Sequence, residues 1–271
     1  MNIPLKYLFI AMLTLPIVTC SPSPKVQSDP ERVYWADITP KTSPEVTNEL
    51  LSNGKNLYNN NCTKCHGVTG RGDEITLETI IVPPRDFALG QFKLRSTNAF
   101  PTDYDLFRTI TVGFPQYDMP EFGHLSQEER WSLVHYVKKL IKSAAPQLSQ
   151  EPRKSVKIPN PKPYTQASID LGKIHFNKMG CAYCHGSNGI ANTAITLKDA
   201  QGNLIKPRNF QDGPEYFKGG GRPEDIVRIL MTGMAGTPMQ PYGIIGADNQ
   251  ELWDIAHYVH SLANTPKKET K

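Results

Sequence analysis

The sequence has little cysteine, no internal run of apolar residues long enough to suggest several membrane spans, and no excess of one charge. Of 271 residues, 5 are Cys, and hydrophobic residues make up 38%. This share argues against both a disordered chain and a polytopic membrane protein. Residues 45–145 carry 11 basic and 12 acidic side chains, and residues 166–264 carry 8 and 9. Because neither segment is basic, we expect no nucleic-acid partner.

Four of the cysteines form two pentapeptides of the same pattern, Cys-x-x-Cys-His. This pattern is the attachment sequence for c-type haem. Two thiols one helical turn apart can add to the two vinyl groups of a porphyrin, and the histidine that follows supplies the proximal nitrogen to iron. The sequence therefore predicts two covalently attached haem c groups, one at Cys62, Cys65 and His66 and one at Cys181, Cys184 and His185.

Other uses of cysteine account for these two motifs less well than haem attachment does. A structural zinc site needs four ligands close together, and the two motifs lie more than a hundred residues apart. A thioredoxin-like motif needs a βαβ context that the sequence does not show. A disulfide pattern would leave the histidine after each pair unexplained.

The rest of the chain repeats with the motifs. Such register over the length of a domain indicates two copies of one fold. We call residues 45–145 the first repeat and residues 166–264 the second repeat. The Pro-rich segment 146–165 between them predicts a semi-extended linker. The recurring residues are Asp105, Arg108, Gly113 and Met119 with Asp225, Arg228, Gly233 and Met239, then Glu129, Trp131, His135, Tyr136, Val137 and Leu140 with Glu251, Trp253, His257, Tyr258, Val259 and Leu262.

Each repeat has the same predicted order of elements. A helix precedes the cysteine motif, irregular chain rich in Pro and Gly follows, and a short helix, a Met-bearing loop and a final helix complete it. No strand pattern of useful length appears, so the predicted fold class is all-α. The predicted helices cover residues 44–60, 103–112 and 126–143 in the first repeat and 165–179, 223–232 and 249–262 in the second.

This arrangement resembles tandem class I c-type cytochrome domains, as in periplasmic dihaem cytochromes c. The resemblance covers nearly all of residues 45–264. It implies that a loop methionine binds the distal face of each iron, and Met119 and Met239 match that position. In the second repeat Met231 and Met234 are nearby, but neither has a counterpart in the first.

The resemblance also implies roles around the haem. A loop proline carbonyl, from Pro83 or Pro84 and from Pro207, would orient the proximal histidine. Arg85 and Arg208 would pair with haem propionates or lie solvated at the surface. His135 falls outside the apolar stripe of its helix. We therefore expect it to be exposed or to contact a haem ligand without binding the iron itself.

His/Met ligation would leave no iron position open to a substrate, so the expected function is electron transfer between redox proteins in a respiratory chain. The alternatives are a dihaem enzyme, such as a peroxidase or a thiosulfate dehydrogenase, and a permanent haem subunit of a larger oxidoreductase. The expected partners are therefore a protein electron donor and acceptor.

The amino terminus predicts export. Residues 1–19 read as a signal peptide, and Ile17-Val18-Thr19-Cys20 resembles the lipobox of bacterial lipoproteins, in which the cysteine is lipidated. Residues 20–44 would then form a flexible spacer and residues 265–271 a basic tail. We expect a periplasmic or extracytoplasmic protein anchored to a membrane through Cys20, with an unlipidated secreted or signal-anchored form as the alternative.

Overall fold

The computed structural model describes residues 38, 42–72, 83–114, 117–146 and 154–265. The predicted signal peptide, the predicted lipidation residue Cys20 and residues 266–271 of the predicted basic tail lie outside these residues. Both repeats belong to one compact unit of the chain, Val33–Lys271.

The first repeat is helical. Polar side chains at the helix starts explain why three of the helices begin where they do: Thr47 accepts a hydrogen bond from the Leu50 amide, and Thr102 and Ser126 form capping boxes with Asp105 and Glu129. The elements are α1 (Asn48–Asn61), α2 (Thr63–His66), a 3-10 turn at Phe87–Leu89, α3 (Asp103–Val112) and α4 (Gln127–Ala144).

The second repeat has the same order of described helices and contains a small hairpin. Two-residue strands pair antiparallel, with Leu197 opposite Ile205. The fold class is all-α, as predicted, and these strands are too short for an alternating sequence pattern to reveal. The elements are α5 (Gln166–Lys178), α6 (Cys181–His185), β1 (Leu197–Lys198), β2 (Leu204–Ile205), 3-10 turns at Phe210–Asp212 and Pro214–Tyr216, α7 (Pro223–Thr232) and α8 (Asn249–Ala263).

The first and last helices of each repeat cross at a glycine. A Cβ atom on Gly54 of α1 would overlap the backbone carbonyl of Ser132 in α4. A Cβ atom on Gly172 of α5 would overlap the carbonyl of Asp254 in α8 in the same way. The absence of a side chain therefore sets how closely the two helices approach. Because the cysteine motif directly follows the first of these helices, their contact also sets the position of the motif.

A tryptophan near the start of each last helix is buried in the core of its repeat. Trp131 packs with Leu106 and Phe107 of α3, and Trp253 packs with Ile226 and Val227 of α7. Burial of these aromatic side chains supplies a large part of the apolar area that stabilises each repeat.

Chain on both sides of the first repeat packs against it. The linker pairs with Ser96–Asn98 through the amide of Val156, which donates to the Ser96 carbonyl at 2.8 Å, and through an isolated bridge between Thr97 and Ser155. Ile38, in the segment predicted to be a flexible spacer, is buried against the first repeat and accepts a hydrogen bond from Arg108 at 2.9 Å. The packed structure of the first repeat therefore includes a residue that precedes residue 45.

The two repeats contact each other directly. Arg95 Nη2 donates to the carbonyl of Thr232, the last residue of α7, at 2.7 Å, and Arg85 Nη1 donates to Gln201 Oε1 at 3.1 Å. Leu94 lies beside Gly219 and Ile229. Among the described residues, none of the helices combines the length and apolarity needed to cross a bilayer.

Candidate functional site

Each cysteine motif lies in a short helix that follows the first long helix of its repeat. Cys62 caps the end of α1 and begins α2, and the amides of Cys65 and His66 donate back to its carbonyl at 3.1 and 2.8 Å. Gly67 and Gly186, both with positive φ, end α2 and α6 directly after the histidines. The turn therefore puts the two thiols of each motif one helical turn apart, and none of the four is in a disulfide.

The first repeat encloses a cavity of about 1330 Å³, counted with its open mouth. The predicted haem attachment residues Cys62, Cys65 and His66 line it, and so does the predicted ligand Met119. Most other lining residues are apolar, among them Phe92, Leu106, Ile110, Leu133 and Val137.

A backbone carbonyl orients the predicted proximal histidine of the second repeat, and another lies near that of the first. His185 Nδ1 lies 3.1 Å from the carbonyl oxygen of Arg208. Because a carbonyl only accepts, Nδ1 carries the proton and Nε2 keeps its lone pair free for a metal. His66 Nδ1 faces the equivalent carbonyl of Arg85 with geometry short of a full hydrogen bond. The prediction that a proline carbonyl does this was wrong in the second repeat, where Arg208, one residue after Pro207, supplies it.

A phenylalanine stacks on each of these imidazoles. The ring centroids of His66 and Phe87 are 4.9 Å apart, and those of His185 and Phe210 are 4.5 Å apart. Both phenylalanines end a Pro-Arg-x-Phe segment that occurs once in each repeat, at residues 84–87 and 207–210, and the sequence analysis did not assign them this role. The repeat itself was the signal that could have found them.

The predicted methionine ligands lie in loops held against the end of the preceding helix. Gly113 ends α3 and Gly233 ends α7, each with positive φ, and a Cβ atom on either would clash with backbone of the methionine loop. The Phe114 amide donates to the Met119 carbonyl at 2.7 Å, and the Met234 amide donates to the Met239 carbonyl at 3.1 Å. The recurrence of these glycines in the sequence therefore has a structural cause that the sequence did not reveal.

The residues predicted to hold the second haem lie around one core cluster. Cys181 and Met239 both pack on the cluster that contains Phe210, the ring on which His185 stacks. Cys184 is half-buried in the same helix, α6. Met231, the alternative to Met239, packs from α7 against this cluster.

Burial keeps these groups uncharged. It raises the pKa of the Cys62 thiol to about 12 and that of Cys181 to about 11. It lowers the pKa of the His66 imidazole to about 4, against the opposing effect of the Arg85 carbonyl, and lowers the pKa of His185 as well. At neutral pH both imidazoles are therefore neutral, the form in which histidine binds a metal.

The repeated histidines of the last helices are buried, which corrects the expected exposure of His135. His135 is 5% exposed and its Nε2 lies 2.9 Å from Ser43 Oγ. His257 is 1% exposed and its Nδ1 lies 2.7 Å from Ser168 Oγ. A serine hydroxyl from another segment forms a hydrogen bond with each imidazole, so each histidine is a buried structural residue. Chain outside the last helix covers the face of the helix that lies beside the apolar stripe, so a position outside the stripe is buried as well.

These features fit the prosthetic group that the sequence predicts. Thiols, an imidazole and a thioether around one apolar cavity are the donor set of covalently attached haem with His/Met ligation. Arg85 and Lys93 also line the cavity and match the carboxylates of a porphyrin. Among the described residues, no three His, Cys, Asp or Glu side chains converge as they would around a bare metal ion.

The helical repeats and the cavity define the class of c-type haem proteins that transfer electrons. The chain belongs to the cytochrome c family, whose model matches residues 51–140 and 169–263, about two thirds of the sequence. This match in two segments confirms the predicted tandem of cytochrome c domains, and membership of the family implies covalently bound haem c. No curated protein matches the chain by sequence.

Eight chains of known structure are similar to this one. One is a chain from the Kuenenia stuttgartiensis reducing HAO-like protein complex Kustc0457/Kustc0458. It is 35% identical, with a TM-score of 0.73, and the match covers 82% of this chain and 100% of that chain.

Proposed function

We propose that this protein is a dihaem cytochrome c whose two irons are both His/Met ligated and which passes single electrons between redox proteins of a respiratory chain. The observation that carries the proposal is the cavity of the first repeat, which His66, Met119 and both cysteines of one motif line together. The second repeat has the same set in Cys181, Cys184, His185 and Met239, with the methionine again in a loop held by a helix-terminal glycine.

The protein's part in this function is to hold and insulate the haem. A bound haem supplies the one-electron redox chemistry, and the chain supplies position, ligands and surroundings. The carbonyl of Arg208 fixes the tautomer and plane of His185. The apolar wall of the first cavity limits water around the iron, which favours the less charged ferrous state and raises the reduction potential.

Carbon monoxide tests the ligation. Two six-coordinate His/Met irons leave no vacant position, so the absorption spectrum of the dithionite-reduced holoprotein should not change when carbon monoxide is added. Ready binding at one haem would contradict the proposal, because it would reveal an open or labile site and favour a dihaem enzyme instead.

A second candidate is a permanent haem subunit of a larger oxidoreductase. The likeness to a chain of the reducing HAO-like protein complex favours it, because that likeness covers the whole of that chain at 35% identity. Native purification from the source cell tests it. Elution at constant stoichiometry with a second redox protein through two separate columns would support a permanent subunit, and elution as a single chain would support a free carrier.

We also propose that the protein works outside the cytoplasm and is anchored to a membrane by a lipid on Cys20. The sequence resemblance to a lipobox supports this, together with the Ser-Pro-Ser-Pro segment that follows it. The exported Cys20→Ser variant should leave the membrane fraction, and its mass should lack a lipid. An unlipidated mature wild-type protein would contradict the proposal.

A further inference from the structure

A lysine of the second repeat contributes to the cavity of the first repeat. Lys218 follows the 3-10 turn Pro214–Tyr216, and its side chain lines this cavity together with Arg85 and Lys93. Its Nζ lies 3.6 Å from the centroid of the Tyr117 ring, two residues before Met119. The second repeat therefore contributes a charged side chain to the wall of this cavity.

This wall concentrates positive charge. Arg85, Lys93 and Lys218 line the same cavity, and the charges of Lys93, Arg85 and Arg208 all act on Lys218. Burial, and then the charge of Lys93, lowers the pKa of Lys218 to about 6. Two ammonium groups this close in an apolar cavity are unfavourable unless an anion joins them.

The carboxylates nearby offset this charge only in part. Asp199 acts on Arg85 and Lys93, and Asp118 is an exposed residue at the cavity. Arg208 pairs with Asp212 at 3.3 Å. Within the part of the chain that the structure describes, neither Lys93 nor Lys218 forms an ion pair with a carboxylate.

A haem in this cavity brings its own anions, since each porphyrin of this type carries two propionate carboxylates. We infer that Lys218, with Lys93 and Arg85, binds a propionate of the haem attached at Cys62 and Cys65, so that both repeats hold the first haem. The inference rests on the proposed function, which puts that haem between His66 and Met119. It assigns to Lys218 a role that neither the cysteine motifs nor the axial ligands require.

Two consequences follow from this contact. A cation beside the propionate disfavours the extra positive charge of ferric iron, so Lys218 raises the reduction potential of the first haem. The same ion pair crosses the boundary between the repeats, so it couples the position of the second repeat to the first haem.

Spectroelectrochemical titration of the two-haem holoprotein tests the inference. Lys218→Met should lower the potential of one haem and leave the other unchanged, whereas Lys218→Arg, which keeps the charge, should retain the wild-type potential. Lys93→Met should shift the same haem in the same direction. Lys173→Met removes one exposed charge from α5 of the same repeat and should move neither potential.

Unchanged potentials in Lys218→Met, with both haems present and His/Met spectra intact, would overturn the inference and leave the proposed function standing. A wild-type protein whose first haem binds carbon monoxide readily would instead mark a failure of the proposed function. If Lys218→Met lost helical circular dichroism, Lys218→Gln, which stays polar, provides the same measurement, and a wild-type potential in that variant would equally overturn the inference.

Discussion

At the scale of single residues, one backbone carbonyl decides which nitrogen of His185 is free. Arg208 presents its carbonyl to His185 Nδ1, and the guanidinium of the same residue pairs with Asp212. One residue therefore contributes through its main chain to the candidate site and through its side chain to the surrounding surface. A sequence motif records the arginine but not which of its groups is used.

Replacement of Met119 tests the axial ligand of the first haem. Met119→Ala should lower the potential of one haem by on the order of 0.1 V, since axial ligands set haem potentials over a range of about 0.8 V. The same variant should allow carbon monoxide to bind to that haem. The measurements are a redox titration and the reduced spectrum with carbon monoxide.

Met231→Leu is the matched control, because Met231 packs in the core of the second repeat and leucine keeps its apolar volume. It should leave both potentials at their wild-type values. A first haem unaffected by Met119→Ala would mean that another group binds its iron.

At the scale of secondary-structure elements, the crossing of the first and last helices positions the cysteine motif. Tyr58 of α1 donates its hydroxyl hydrogen to the Gly67 carbonyl at 2.8 Å, and Tyr258 of α8 donates to the Ser187 carbonyl at 3.0 Å. In each repeat, a tyrosine on one of the crossing helices is therefore hydrogen-bonded to the backbone that follows the histidine. Any shift of the crossing reaches the haem attachment turn through these hydrogen bonds.

Gly54→Ala should destabilise the first repeat because the new Cβ atom would overlap the Ser132 carbonyl and force α1 and α4 apart. Overpacking of this kind costs about 1–3 kcal/mol. Denaturant unfolding of the holoprotein, followed by helical circular dichroism, measures the free energy of unfolding.

Gly123→Ala is the control for this experiment. Its Cβ atom would find only the Thr111 carbonyl, at 3.7 Å, and Gly123 is exposed. We expect a change within about 0.5 kcal/mol. Equal stability of the two variants would mean that the helices separate without cost and that Gly54 does not set their distance.

At the scale of the whole molecule, the two repeats share polar contacts as well as the first cavity. Arg95 donates to the carbonyls of Ala99 in its own repeat and Thr232 in the other, at 3.0 and 2.7 Å. The charges of Asp225 and Arg228 on α7 act on Arg108 of α3. Helices that recur at an offset of 120 residues therefore approach each other between the repeats.

Arg95→Met should weaken this contact because it leaves the Thr232 carbonyl without its charged donor. Hydrogen bonds that involve a charged group contribute about 1.5–3 kcal/mol each, so we expect a loss of that order in the free energy of unfolding. The unfolding of the two repeats should also become less coupled. Differential scanning calorimetry of the holoprotein measures both effects.

Arg71→Met, at an exposed position of the first repeat, is the control and should leave the calorimetric transition unchanged. If Arg95→Met gave the same transition as wild type, the contact between Arg95 and Thr232 would contribute nothing to the association of the repeats.

Local chemistry in the sequence determined the repeat, the helical fold class and the candidate haem residues, since attachment needs two thiols and a histidine at fixed spacing. The short helices 103–112 and 223–232 have the bounds that the sequence predicted. Ser126 and Glu129 form a capping box at the start of α4, and their Ser-x-x-Glu spacing is the sequence pattern typical of one. Periodicity and capping act within a few residues, so a single sequence carries them.

Only the tertiary structure decided what lies beside these groups. His135 is hydrogen-bonded to Ser43, His185 is oriented by a carbonyl 23 residues away, and Lys218 of the other repeat lines the first cavity. These contacts join positions that no local pattern links, because the packing of helices and the path of loops bring them together.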